Sequence, residues 1–274
     1  MSAYRAEIEA YRKDRVERLT GKDGWLTLVG LFWLEPGANS FGRADSNDIS
    51  LDNSNLPARA GTFLLEKGEV RFQAARDTTI THQGQAVESI VMSPDSSGDP
   101  AILEVGRLSF FIIEREGRLG VRLKDSQAPA RLNFTGLEYF PVDLKWRVQA
   151  DFVPYDPPKK VPIANVLGLA TEMESPGALT FELDGREYRL DPVKEQGDEL
   201  FIMFADETTG KETYGAGRYL YVPYPNEGKV LMDFNKAYNP PCVFSEYATC
   251  PLPPVQNRLE LRVEAGEKTY GHGH

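Results

Sequence analysis

The sequence predicts an all-β protein prefaced by one amphipathic helix, with a β-sandwich-like half followed by a β-barrel-like half. Three observations carry that expectation. A helical spacing of apolar side chains is confined to the first residues; beyond them short apolar runs alternate with turn dipeptides; and helix-length periodic segments do not recur.

Tyr4, Ile8 and Tyr11 recur at helical spacing and Val16 and Leu19 extend the stripe, with Ser2 available as N-cap and Gly21 as terminator. Lys67-Gly68, Glu116-Gly117 and Asp184-Gly185 each separate two β-prone runs, giving hairpins over residues 62–73, 108–123 and 179–190. Asp184-Gly185 supplies both positive-φ positions of a type I′ turn. Further strands are expected over residues 146–153, 199–204, 218–222, 229–234 and 259–263. Pro154, Pro157, Pro158 and Pro162 bar residues 151–162 from a central strand and suggest a boundary or crossover. The expected organisation is a helix over residues 1–24, a sandwich-like region over 25–133 and a barrel-like region over 134–274, with the division near Phe134.

A hydrophobic content of 41% with 11% aromatics is ample for packed cores. Forty-one acidic against 31 basic residues leave a formal charge of −10, which opposes binding to nucleic acid or anionic membranes. The charged N-terminal stretch does not read as a secretory signal, and the longest uncharged apolar run, residues 24–34, is too short to span a bilayer. Two cysteines suit a reducing compartment, so a cytoplasmic protein is expected, although the pair remains free to bond. Oligomeric state and cofactor are not legible.

Histidine usage constrains the chemistry. His82, His272 and His274 are the whole complement, and the last two sit in a terminal Gly-His-Gly-His that reads as a frayed end or cloning remnant. A Ser-His-Asp triad would depend on His82 alone, and a zinc cluster of the usual kind is not expected. Neither a dinucleotide fingerprint nor a phosphate loop is present.

What remains is concentrated in residues 206–267. Thr213-Tyr-Gly-Ala-Gly-Arg218 delivers Arg218 onto a strand beside Tyr214, where a guanidinium could grip a carboxylate or phosphate or could instead pair with Asp206 or Asp233 and fasten the loop. Asp233-Phe-Asn-Lys-Ala-Tyr-Asn-Pro-Pro-Cys242 places Asn235, Tyr238 and Asn239 near a double proline that stiffens the backbone and could hold a cis bond. The asparagines could equally satisfy their own turns. Cys242 could be a nucleophile if a nearby cation lowered its pKa, a buried inert thiol, or one half of a pair with Cys250. Cys250-Pro-Leu-Pro-Pro254 reads as a stiff strap.

Gly37-Ala-Asn-Ser-Phe-Gly42-Arg43, Asp48-Ile-Ser-Leu51, Asp77-Thr-Thr and Gly84 resemble the opening layout of forkhead-associated phosphopeptide domains. The chain departs from them at Ala58-Arg59-Ala60-Gly61, where that family has a Ser-Arg-x-x-His-like segment, and it lacks their Asn-Gly element near Thr81. A bare β scaffold with Arg43 on its surface is therefore expected. Trp25-Leu-Thr-Leu-Val-Gly-Leu-Phe-Trp33, Arg122-Leu-Lys-Asp125, the Asp233–Cys242 string, Cys250–Pro254 and Ala265-Gly-Glu267 resemble a bacterial and archaeal family known as domain of unknown function 1684. That resemblance implies no activity.

Three functions fit these residues. The preferred one is a binding module whose barrel mouth, lined by Tyr214, Arg218, Asn235, Tyr238 and Asn239, holds a small anionic or polyhydroxylated ligand. The second is an enzyme using Cys242 or Asp233 as nucleophile or base. The third is a protein-interaction scaffold with no small-molecule site.

Overall fold

A computed structural model describes residues 2–195 and 197–271. His272 and His274 lie outside the described residues. Helix α1 spans Ser2–Thr20, as the Tyr4, Ile8, Tyr11 stripe requires. The chain divides into two compact units, one of residues 19–134 and one that combines residues 1–18 with 135–274.

The 19–134 unit holds β1 (Leu28–Trp33), β2 (Gly37–Gly42), β3 (Ile49–Ser50), β4 (Gly61–Glu66), β5 (Glu69–Ala74), β6 (Thr81–His82), β7 (Gln85–Ala86), β8 (Ser89–Met92), β9 (Leu103–Val105), β10 (Leu108–Arg115) and β11 (Arg118–Asp125). They form a five-stranded sheet ordered β3-β2-β4-β5-β8 and a six-stranded sheet ordered β1-β11-β10-β9-β6-β7. Alternate residues of each strand turn inward, so Phe41, Phe63 and Phe72 of the first sheet meet Phe110 of the second at ring separations from 5.2 to 5.7 Å. All four rings are fully buried, each contributing about 1.5–3 kcal/mol by removal from water.

The combined unit holds β12 (Arg147–Ala164), β13 (Ala170–Leu183), β14 (Arg186–Leu190), β15 (Val193–Lys194), β16 (Glu199–Phe204), β17 (Arg218–Pro223) and β18 (Lys229–Asp233). A four-stranded sheet ordered β14-β13-β12-β18 and a three-stranded sheet ordered β15-β16-β17 curve around one core that includes Phe181, Ile202, Phe204, Leu220, Met232 and Phe234.

The turn chemistry reads through to the structure. Lys67-Gly68, Glu116-Gly117 and Asp184-Gly185 all adopt positive φ at both positions, which matches the twist of the strands they join. Two expectations need correction. Residues 151–162 are part of β12 and not a crossover, although beyond residue 151 the strand is not central, as its prolines require, because β18 pairs only with residues 147–151 and the register with β13 breaks between Pro154 and Lys159. Residues 259–263 form no strand. Leu259 and Val263 are buried in the core, but the backbone at Val263 serves the Asp206 and Arg218 side chains instead of a ladder.

Candidate functional site

The residues singled out after β18 are held by the loop that follows it. Asp233 ends the strand and accepts the Asn235 backbone N–H, capping a short turn over Phe234–Lys236. Phe234 is fully buried and anchors that turn in the core. Helix α1 then presents Tyr4, Tyr11 and Arg15 on one face, as residues seven and four apart must lie.

The Tyr4 hydroxyl donates to both Asp233 carboxylate oxygens, at 2.8 and 2.9 Å, and accepts from Asn235 Nδ2 at 2.9 Å. Asn235 also donates to the Asp143 carbonyl and accepts the Asp143 N–H. The Tyr11 hydroxyl donates to the Lys236 carbonyl, and Lys236 in turn pairs with Glu7. That hydrogen bond from Lys236 holds the Glu7 carboxyl below its ordinary range.

Deeper along the helix, Arg15 Nε donates to Glu267 at 3.0 Å and its terminal nitrogen to the Asn239 carbonyl at 2.8 Å. The second Glu267 oxygen accepts the Asn239 N–H at 2.8 Å. Both ion-pair side chains are buried, at 7% and 1% exposure. Gly266 makes this placement possible: its φ is +76°, and a Cβ there would lie 2.3 Å from the Ala237 carbonyl oxygen. Asp233, Asn235 and Asn239 are thus brought together, and what they receive is the N-terminal helix.

Arg218 is somewhere else. It is 0% exposed, and its guanidinium donates to the Ala265 carbonyl, to the Val263 carbonyl at 2.9 Å and to Asp206 at 3.4 Å, beneath the Phe204 ring. Burial lowers its pKa, and Asp206 is the nearby charge that opposes this. Asp206 is itself saturated by Thr208, Thr209 and the Val263 N–H. The expectation that Arg218 lines an open mouth is therefore corrected: it ties residues 263–267 to β17, the fastening role weighed in the sequence.

Cys242 and Cys250 form a disulfide, so a Cys242 thiolate nucleophile is not present. The bond also takes away the support that cysteine usage lent to a reducing compartment. Asp233 is 7% exposed, and its carboxylate accepts the Tyr4 hydroxyl, the Asn235 N–H and Asn235 Nδ2. The peptide bonds of Pro240 and Pro241 are trans, and the cis bond lies at Asp156–Pro157.

Tyr214 is partly exposed in the turn that leads into β17, where its carbonyl accepts the Gly217 N–H, and Tyr238 belongs to a third grouping. On the outer side of β16 and β17, Phe201 stacks on Tyr221 at 4.9 Å, Tyr221 lies nearly parallel to Tyr238 at 6.2 Å, and Tyr219 meets Phe201 and Tyr238 edge-on. The Tyr219 hydroxyl donates to the Pro251 carbonyl at 2.6 Å, seating the Cys250–Pro254 strap. Tyr221 remains 40% exposed, its hydroxyl held by the exposed Glu195 at 2.6 Å. Burial raises the phenols of Tyr214, Tyr219, Tyr221 and Tyr238 and pushes Tyr11 up to about 12. These phenols stay protonated near neutral pH and act as donors, not as bases.

The sequence reading passed over Tyr4, Tyr11, Arg15, Phe201, Tyr219, Tyr221 and Glu267 as site residues. The polar side chains on the helix stripe were the available signal for the first three. In the other unit, Arg43 and Arg59 are exposed, Gly42 sits where a Cβ would lie 2.4 Å from the Ala58 carbonyl oxygen, and His82 Nδ1 pairs with the Ile102 carbonyl. Among the described residues no cluster of three His, Cys, Asp or Glu is placed to hold a cation, and no helix is long and apolar enough to cross a membrane.

Fold and site together define a two-unit β protein whose N-terminal helix is locked into its C-terminal unit by buried polar contacts. Residues 132–268, half of the chain, match the family described as protein of unknown function (DUF1684), and the chain belongs to that family. An uncharacterized protein of Haloarcula marismortui, solved in solution by NMR, is 34% identical over 51% of this chain and 79% of its own, with a TM-score of 0.43. The FhaA FHA domain, solved in complex with the intracellular domain of a partner protein, is 10% identical over 34% of this chain and 97% of its own, with a TM-score of 0.25. The second FHA domain of a Mycobacterium tuberculosis ABC transporter is 21% identical over 32% of this chain and 77% of its own, also with a TM-score of 0.25. No curated protein matches the chain.

Proposed function

We propose that this protein is a non-catalytic binding module, and that its C-terminal unit receives a small polyhydroxylated ligand on the tyrosine shelf of Tyr221 and Tyr238. One observation carries the reading: Tyr221 offers 40% of its surface to solvent while its ring is packed against Phe201 and its hydroxyl is fixed by Glu195. A rigid aromatic surface beside a carboxylate suits the C–H face and hydroxyl edge of a sugar-like molecule. The anionic alternative has less support, because Arg218 has no exposed surface and Arg15 is already paired with Glu267. The enzyme alternative has lost its nucleophile to the disulfide, and the Asp233 carboxylate weighed as its base accepts the Tyr4 hydroxyl.

Calorimetric titration with neutral oligosaccharides, sugar phosphates and organic acids tests this. Neutral saccharides are expected to bind, with Tyr221→Ala weakening them at least tenfold and Tyr221→Phe much less. Indifference to every saccharide, or a Tyr221→Ala variant that binds like the wild type, would sink the proposal.

A further inference from the structure

The two sequence strings of the 19–134 unit that the tyrosine shelf leaves unused, residues 25–33 and 122–125, are brought side by side. Strands β1 and β11 pair with Leu31 opposite Arg122 and Trp33 opposite Gly120. Val121 and Leu123 turn into the core, so Arg118, Arg122 and Lys124 share the opposite, outer face of the six-stranded sheet. Each of these cations lies over a ring on that face: Arg118 over Trp33 at 4.6 Å, Arg122 over Trp25 at 5.4 Å and Lys124 over Phe111 at 5.4 Å. Gly120 allows this layering, since a Cβ there would stand 2.9 Å from the Trp33 ring.

The β10–β11 part of the face concentrates positive charge in a chain of formal charge −10, with Glu104 as the acid beyond it on β9. At the end of the β10–β11 hairpin Arg115 sits directly opposite Arg118, an arrangement of like charges that ordinarily costs stability. Asp95 pairs with Arg115. Arg122, 3% exposed, is lowered by burial to about 10 and stays charged at neutral pH as a support beneath the layer. Arg118 is exposed, and Lys124, Trp25, Trp33 and Phe111 are partly exposed.

We propose that the outer face of this sheet, where Arg118, Arg122 and Lys124 are stacked on Trp33, Trp25 and Phe111, docks an extended acidic segment of a partner protein. Charge complementarity selects the sign of the partner. Stacking selects carboxylates at Arg118, because that exposed guanidinium uses its face for the Trp33 ring and turns its in-plane N–H fork to a planar acid. The extended shape follows from the spacing: Arg118 to Lys124 spans about 20 Å at the usual strand rise, the length of about six residues of extended chain. Strand β1 ends the sheet, where such a chain can also add backbone contacts.

The test is titration of the whole protein with poly-L-glutamate at low salt, following Trp25 and Trp33 emission over the constant background of Trp146, which is 2% exposed. Saturable binding that weakens as salt is added is expected. Arg118→Glu combined with Lys124→Glu should reduce affinity at least tenfold, while Arg76→Glu, an exposed charge reversal elsewhere, should leave it within twofold. If the double variant fails to fold by circular dichroism, Arg118→Gln alone, at an exposed position, should still reduce affinity several-fold. Absence of polyglutamate binding, equal binding by a folded variant, or a preference for oligothymidylate or for phosphatidylglycerol vesicles would overturn the proposal.

Discussion

Replacing Glu267 by alanine tests the polar lock on helix α1. In the native unit its carboxylate receives Arg15 Nε at 3.0 Å and the Asn239 N–H at 2.8 Å, with the two charged side chains 7% and 1% exposed. Removal leaves the Arg15 guanidinium with the Asn239 carbonyl and the Tyr238 and Phe244 rings, at 4.7 and 5.8 Å, as its remaining company. Breaking a buried ion pair on one side costs about 3–5 kcal/mol, and an orphaned buried N–H about 1–3. Since the first figure already contains part of the second, a loss of about 4 kcal/mol is expected. Urea unfolding at pH 7 followed by Trp146 fluorescence measures it, because that residue lies in the core of the same unit. The pair replacement Arg15→Met with Glu267→Leu should recover most of the loss, since neither charge is then left alone in the interior. A Glu267→Ala cost below about 1 kcal/mol, or simple additivity of the two single truncations in a double-mutant cycle, would refute the reasoning.

Two further outcomes follow from the same interior. Thiol titration of the unfolded but unreduced protein should detect no free cysteine, and Cys242→Ser with Cys250→Ser should lower stability by about 2–3 kcal/mol, the loop-closure value for a separation of 8 residues; two titratable thiols without reductant would contradict it. On the alkaline side, Tyr4, Tyr11, Tyr139, Tyr219, Tyr221 and Tyr238 all have folded pKa values raised by burial, against about 10 in an unfolded chain. The stability they confer is complete below pH of about 10 and is lost as pH rises beyond it, because the unfolded state then releases protons that the folded state keeps. Absorbance at 295 nm should show these phenols ionising late and together with loss of near-ultraviolet dichroism; ionisation of all 12 tyrosines near pH 10 in a still-folded protein would be the contrary result.

The secondary structure was largely legible because its signals are local. Lys67-Gly68, Glu116-Gly117 and Asp184-Gly185 form their turns from their own backbone preferences, whatever lies elsewhere. Leu259–Val263 misled because alternation reports burial of side chains and cannot say whether the backbone between them finds a strand or a pair of buried side chains. The density of special residues from Asp233 to Glu267 was also plain, but their purpose was not. Tyr4 meets Asp233 across 229 positions of sequence, so a reading along the chain sees a polar loop without its occupant. Arg218 shows the same limit: whether a guanidinium is open or enclosed depends on where residues 263–267 return.

Helix α1 is synthesised long before the carboxylate that fixes Arg15, since Glu267 follows Arg15 by 252 positions. During synthesis the unit comprising residues 19–134 can close while the helix still waits for its seat. Closing so long a loop is entropically cheap per added residue, rising by only about 0.6 kcal/mol for each doubling of length, so the wait is one of time more than of free energy. It also means that the segment 132–268 expressed alone would expose Asp233, Asn235 and Glu267 as a raw polar groove, and that a peptide of residues 2–18 supplied separately should heal it.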